Sequence, residues 1–375
     1  MQYMKREICR LIPLAALILL MSILLFGCDA LFSVATAPTP VPTETPTAAP
    51  TAVPTAEPTP TFEQVAVMTP GPTETPTPEP TLEPTSGSAP ATPQQNGPAP
   101  TPFSIVWMSD TQNLTRHYPE VFNGMRDWIL NEQEAQNIVF FIHTGDVVDG
   151  CSQFMWDNAS ISLIPLLYRV PGMIVSGNHD VSAENKQRLF YERPYARMTQ
   201  KEGQIYQDGE CAYQIFTAGG DEFLVFGIGY RVNNANMWRW VSSAIEAHPD
   251  AVLLFVMHDG LQPENKYSGQ AKELFKRVAE KTPNARLLLC GHNDGILRHE
   301  DWIDDDGDGE TDRCFYTLMF NVQDDLEEGM GFMRILTFYP EDRHIAVRMY
   351  SPWYDQWNYP KALPEENDFI LENAY

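Results

Sequence analysis

The chain has 375 residues, with 50 Asp and Glu against 25 Lys and Arg, giving a formal net charge of −25. A surface this acidic repels polyanions, so nucleic acid is not expected as a partner. Hydrophobic residues at 43% are enough for a sizeable core, whereas 31 prolines point to a segment that stays out of it.

The first 28 residues carry Lys5, Arg6 and Arg10, then an apolar run from Leu11 to Phe26, then Gly27-Cys28. A basic start, an apolar stretch and a small residue before the cut describe a secretory signal. The ending resembles a bacterial lipoprotein signal, in which the Cys becomes the lipidated first residue. Phe26 stands where a small or β-branched residue is usual, and an uncleaved membrane anchor is the alternative. Either form places the bulk of the chain outside the cytoplasm, held at the membrane of the cell envelope. Residues 29–102 read as a linker: 19 of the 31 prolines lie between Thr36 and Pro102, mostly in Pro-Thr pairs. Such a segment has too little apolar surface to offset the entropy of ordering. Extended as polyproline II at ~3.1 Å per residue, it would reach on the order of 200 Å.

The folded domain is expected over 103–351, followed by a tail over 352–375. Setting aside the 8 acidic and 3 basic residues of positions 1–102 leaves 42 and 22, a net charge near −20. Five apolar runs in the domain each stop at Asp, Asn or His. In chain order they are 104–110 (ending at Asp110), 138–146 (Asp146), 173–180 (Asn178-His179-Asp180), 253–258 (His258) and 287–294 (His292-Asn-Asp294). Short β-branched runs bounded by polar residues read as buried strands. Between them, Val121, Met125, Trp128 and Ile129 recur at helical spacing, as do Met237, Trp240, Val241, Ala244 and Ile245, and Ala271, Leu274, Phe275 and Val278. Alternating strands and helices give an α/β fold with parallel strands, whose carboxyl edge is where ligands bind. Past residue 295 only strands are predicted, over 296–303, 314–322, 332–339 and 344–350, suggesting a second, partly antiparallel sheet packed on the first. Trp353, Tyr354, Trp357 and Tyr359 in the tail are expected to pack against the core edge.

The polar ends of the runs read Asp110-x-Gln112, Gly145-Asp146-x-x-Asp149, Gly177-Asn178-His179-Asp180, His258 and Gly291-His292-x-Asp294. Each motif has a plain structural alternative: a turn at Gly-Asn, a buried histidine at 258, a helix cap at Asp149. Together their order and spacing resemble the calcineurin-like metallophosphoesterases, across about Phe103 to Tyr350. That family's usual pattern is Asp-x-His, Gly-Asp-x-x-Asp, Gly-Asn-His-Asp/Glu, a lone His and Gly-His-x-His. The resemblance implies two packed mixed β-sheets flanked by helices, a four-layer αββα sandwich, holding two divalent metal ions. It implies that Asp110, Gln112, Asp146 and Asp294 surround the first ion, and that Asp146 bridges to a second completed by Asn178, His258 and His292. Two such ions can bind a phosphate ester and lower the pKa of a bridging water that attacks it. His179 would then protonate or hydrogen-bond the leaving oxygen, oriented by Asp149. Gln112 and Asp294 stand where the family has His, so the first ion's protein ligands are all oxygen. Oxygen donors suit Mn²⁺ or Mg²⁺, while the imidazole-containing site suits Zn²⁺, Fe or Mn²⁺.

Asp304, Asp306, Asp308 and Asp312 follow the first part of a calcium loop, but Phe315 occupies the place of its bidentate Glu. A Ca²⁺ site or a solvated hairpin tip both fit. Cys151, Cys211, Cys290 and Cys314 fit no zinc pattern, and a Cys290–Cys314 bridge or a buried thiol are open. His117, Arg116, His143, Asn293 and Arg298 lie close enough in sequence to border the crevice. No P-loop, nucleotide fingerprint or serine-hydrolase elbow occurs. The leading expectation is a membrane-tethered, monomeric phosphoesterase acting on a small-molecule or lipid-derived phosphomonoester or phosphodiester. A non-catalytic surface-display or binding domain is the alternative, and a calcium-dependent adhesion protein is a third.

Overall fold

The structure is a computed structural model that describes residues 100–150, 152–181, 204–323 and 330–375. The chain divides into two units, Met1–Ala89 and Pro90–Tyr375, and every described residue lies in the second. The expected signal, nearly all of the linker and Cys151 lie outside the described residues.

Two seven-stranded mixed sheets form the centre. The first contains β1 (Phe103–Met108), β2 (Ile138–His143) and β3 (Gly172–Ile174), which run parallel to one another. The second contains β4 (Ile205–Tyr206), β5 (Cys211–Ala218), β6 (Asp221–Ile228) and β7 (Val252–Met257). A small separate hairpin follows, β8 (Leu261–Gln262) with β9 (Lys266–Tyr267). Then β10 (Ala285–Cys290) joins the second sheet beside β7, and β11 (Gly295–Ile303) and β12 (Arg313–Asn321) extend it. The chain returns to the first sheet with β13 (Met333–Tyr339), antiparallel to β1, and with β14 (His344–Ser351), β15 (Gln356–Trp357) and β16 (Phe369–Leu371).

The pleat sorts the side chains into three cores. Ile105 and Trp107 of β1, Leu254 and Val256 of β7, and Leu287 and Leu289 of β10 fill the seam between the sheets. Val106 and Met108 point the other way, onto the helices α1 (Gln112–His117), α2 (Pro119–Glu132) and α3 (Gln153–Leu167). Leu253, Phe255 and Met257, with Leu288 and Cys290, face α4 (Ala235–Ala247) and α5 (Gly269–Arg277). Helix, sheet, sheet, helix is therefore the layer order. Side-chain caps start three of the helices: Ser152 accepts from Met155 N, Asn234 from Met237 N and Ser268 from Ala271 N. A further short helix, α6 (Pro364–Asn367), lies in the last 24 residues.

The two-sheet sandwich agrees with the expectation, but its wiring differs in two ways. The five motif-bearing strands do not share one sheet; β1, β2 and β3 lie in the first, β7 and β10 in the second. Nor do the strands after residue 295 form a sheet of their own, because β11 and β12 continue the second while β13 and β14 continue the first. Residues 352–375 belong to the domain: β16 pairs with β14, and Tyr359, Leu371 and Tyr375 are buried in the seam. Trp353, Tyr354 and Trp357 are instead exposed. Cys290 and Cys314 are buried free thiols, and Cys290 Sγ donates to Leu318 O at 3.3 Å.

Candidate metal centre

The motif loops meet where the carboxyl ends of the two parallel strand sets come together. Asp110 and Asp146 each follow their strand in left-handed backbone, at φ 51° and 53°, and His292 does the same at φ 73°. That conformation is uncommon for residues other than glycine and here turns each side chain off its strand. The loops are tied to each other, with Asp110 N donating to Gly145 O at 3.1 Å and Gly291 N to His258 O at 2.9 Å. Two motif glycines are dictated by close approach: a Cβ on Gly177 would strike the Asp146 carboxylate, and one on Gly291 would strike the Asp110 carboxylate and Ser109 Oγ.

His258 is the hub. Its Nδ1–H donates to Thr144 O at 2.9 Å, which leaves Nε2 facing the crevice as the atom that takes either a proton or a cation. Around that Nε2 stand Asn178 Oδ1 at 2.9 Å, Asp146 Oδ2 at 3.1 Å and His292 Nδ1 at 3.1 Å. Ligand atoms of Asp146, His258 and His292 all lie within 4.8 Å of one another. Lone pairs from a carboxylate, an amide oxygen and two imidazoles converge on one point, an arrangement that a divalent cation satisfies and protons cannot satisfy all at once. The donor set fits a metal ion.

The electrostatics show that a proton on His258 Nε2 competes for the place a cation would take. Burial lowers the affinity of His258 for a proton, but the Asp146 carboxylate more than offsets this and raises its pKa to about 9. For Asp146, burial favours the neutral acid, yet the His258 charge and hydrogen bond win and lower its pKa. Asp110 is pushed up to about 7 by burial and by the Asp146 charge, partly offset by His258. Backbone N–H of His292 and the Ser109 hydroxyl donate to its carboxylate. Two buried carboxylates held this close call for a cation.

Beside this centre, Asp149 accepts from His179 Nδ1 at 2.8 Å with one oxygen and from Arg116 Nη1 at 2.8 Å with the other. Burial lowers the His179 pKa, but the Asp149 hydrogen bond and the Asp146 charge outweigh it and raise the net value. The ring stays 43% exposed.

Two expected ligands sit differently. Gln112 is 3% exposed, and in the orientation that satisfies its amide, its nitrogen donates to Asp110 O at 3.1 Å and Asp146 O at 2.8 Å. Its oxygen accepts from Gln323 Nε2 at 2.8 Å. Gln112 thus laces together the two loops that carry the carboxylates, with its oxygen turned to Gln323. Asp294 is exposed, lies outside the cluster around His258, and lines a neighbouring cavity.

Two structural partners of the site, Asp180 and Tyr230, were given no role by the motifs. Buried Asp180 accepts from Val148 N at 3.0 Å and Gly177 N at 2.8 Å, joining the loops after β2 and β3, and burial pushes its pKa up to about 7. Tyr230, reached from β6, walls both imidazoles with ring centres 5.8 Å from His258 and 6.0 Å from His292. Of the other nearby residues, His143 is fully buried: it accepts from Gly145 N at 3.2 Å and donates to Thr111 Oγ1 at 2.9 Å, and burial lowers its pKa to about 3. Asn293 donates to Leu261 O, and Arg298 pairs with Glu300. In the acidic hairpin, Asp304, Asp306 and Asp312 have carboxylate oxygens within 4.8 Å of one another, without Asp308. Asp304 accepts from Gly307 N and Gly309 N, and Asp312 accepts from Asp305 N. The hairpin tip is therefore closed by its own backbone donors.

Fold and site together define a metallophosphoesterase-type hydrolase. The calcineurin-like phosphoesterase family matches residues 103–293, and the chain belongs to that family. The uncharacterized protein YvnB of Bacillus subtilis (strain 168) is 29% identical over 268 residues, covering 70% of this chain and 21% of that protein. The chain thus spans about a fifth of that relative's length. Similar solved structures include Plasmodium GAP50, the anchor in the inner membrane complex, with a TM-score of 0.42 and 10% identity over 69% of this chain and 87% of that one. Another is the Thermus thermophilus sulfate thiohydrolase SoxB, with a TM-score of 0.41 and 11% identity over 68% and 58%. Haemophilus influenzae NAD nucleotidase (NadN) gives a TM-score of 0.32 and 11% identity over 70% and 54%.

Proposed function

We propose that the chain hydrolyses a phosphate ester with two divalent cations, outside the cytoplasm and tethered to a membrane. The observation that carries the catalytic reading is the convergence of Asp146, Asn178, His258 and His292 lone pairs on one point. These four residues would hold one ion, and Asp110 with Asp146 would hold a second of harder, Mn²⁺- or Mg²⁺-like character. The ions would supply positive charge against the phosphoryl oxygens and make water a better nucleophile at neutral pH.

The protein's own residues do the remaining work. Thr144 O fixes the His258 tautomer, and Gln112 fixes the spacing of the two carboxylate loops. His179, held by Asp149 and raised in pKa, gives a proton to the leaving oxygen, which spares it from departing as an alkoxide. No side-chain nucleophile is required. The acidic surface favours a small or lipid-derived ester over nucleic acid. Tethering is supported by Lys5, Arg6 and Arg10 ahead of the apolar run that ends at Gly27-Cys28.

The test is turnover of generic aryl phosphomonoesters and phosphodiesters by metal-replete protein, with chelator-stripped and Asp146→Asn proteins as blanks. Release above both blanks with Mn²⁺, Mg²⁺ or Zn²⁺ is expected. Wild-type rates equal to the blanks with every ion would leave a binding domain that has kept the fold.

A further inference from the structure

The chemistry described so far accounts for the phosphoryl group and leaves open what holds the rest of the ester. In a chain with 50 acidic and 25 basic residues, a guanidinium is expected to find a carboxylate. Seven of the twelve described arginines do, among them Arg116 beside the metal centre. Arg231, in the loop after β6, is exposed and takes part in none of the ion pairs among the described residues. Its guanidinium lies over the Tyr230 ring, 4.9 Å from the ring centre, and the same ring walls His258 and His292. The charge is thus one aromatic ring away from the imidazoles.

The loop is built to hold that side chain in place. Arg231 takes left-handed backbone at φ 59°, which is uncommon outside glycine. Gln270 of α5 commits its whole amide to this conformation. Its Oε1 accepts from Arg231 N at 3.1 Å, and its Nε2 donates to Gly229 O at 3.0 Å and Val232 O at 2.8 Å. Tyr230 N in turn donates to Ser176 Oγ at 3.2 Å, two residues before Asn178 of the metal centre. These bonds fix the loop against the centre. The ring face restrains the guanidinium, so less freedom is lost when it binds a partner.

We propose, resting on the phosphoesterase reading, that Arg231 forms an anion subsite at the rim of the metal centre, and that the leaving group of the ester carries a second negative charge. That charge is a carboxylate or a phosphate, since the planar guanidinium matches either with two parallel hydrogen bonds. Arg116 also borders the crevice, but its Nη1 is held by Asp149. Arg231 is thus placed to read the substrate, whereas Arg116 serves the Asp149–His179 pair. On a surface that otherwise repels anions, one local cation discriminates: an anionic leaving group gains at Arg231 what a neutral one does not.

The experiment gives three aryl monoesters to wild-type, Arg231→Gln and Arg231→Lys proteins: 4-carbamoylphenyl phosphate, 4-carboxyphenyl phosphate and benzene-1,4-diyl bisphosphate. The first two have nearly the same shape and differ in charge, and the two anionic esters separate carboxylate from phosphate recognition. Metal content of each protein is read in parallel by elemental analysis. Arg231→Gln should lower kcat/KM for at least one anionic ester about tenfold, as expected for loss of a hydrogen bond between charged groups, mainly through KM. The neutral ester should be little affected, with bound metal unchanged. Arg231→Lys keeps the charge without the planar fork and should recover part of the difference. Added salt should erode that difference in wild-type protein. Equal losses for all three esters, no change for either anionic ester, or loss of metal from Arg231→Gln would overturn the subsite. Failure of wild-type protein on all three esters would instead defeat the phosphoesterase reading, and this inference with it.

Discussion

The two halves of the metal centre are built from the same kinds of residue and behave differently. Around His258, the Nδ1–H is taken by Thr144 O, and Asn178 Oδ1, Asp146 Oδ2 and His292 Nδ1 converge on Nε2. Gln112 and Asp294, the other two expected ligands, lie outside that convergence. The Gln112 amide carries N–H groups, and the buried carbonyls of Asp110 and Asp146 take them. Asp294 lies past the left-handed turn at His292 and is exposed. Residue type and spacing are thus shared by both halves, and the hydrogen bonds around each side chain differ.

That contrast can be broken by substitution. The largest effect is expected from His258→Ala, which should reduce ester turnover to the uncatalysed background, measured by phosphate release. His179→Ala should lower kcat by roughly 10²–10⁴-fold, the usual worth of a general acid, while bound metal stays the same. Asp149→Asn should be milder and carry a signature. It removes the hydrogen bond that raises the His179 pKa, and protonated His179 is the active form, so the alkaline limb of the pH–rate profile should move to lower pH. Gln112→Ala should act on the fold: two buried carbonyls lose their donor, costing about 1–3 kcal/mol in chemical denaturation. The smallest effect is on acid stability. His143 is buried neutral with its pKa lowered to about 3 from 6.5, so the unfolded chain binds a proton that the folded one refuses. Its contribution to stability is full above pH 6.5 and is lost as the pH falls towards 3, to be read as a decline in Tm that His143→Gln flattens.

Much of this could be read from the chain alone because the motif strands are buried on both faces and end abruptly. Their apolar runs mark β1, β2, β7 and β10, and helical spacing marks α2, α4 and α5. The short α1 and the whole of α3 gave no such signal; α3 is apolar nearly all round and carries Pro165, which blurs its period. The β5–β6 hairpin turns at Gly219-Gly220, both at positive φ, a local hairpin-turn signature in the sequence. Sheet membership was the deeper gap. Nothing in an apolar run says which of two stacked sheets it joins, so β12 and β13 look alike in sequence and lie in different layers. At the site, ligand types were legible, but the Gln112 orientation and the Asp180 and Tyr230 contacts depend on atoms distant in sequence.

The most direct test is equilibrium titration of metal-stripped protein with Mn²⁺ and Zn²⁺, counting tightly bound ions per chain in wild-type, His258→Ala and Gln112→Ala proteins. The tight ion should disappear in His258→Ala and persist in Gln112→Ala. Retention of that ion without the His258 imidazole, or its loss with Gln112→Ala alone, would contradict a centre organised around His258.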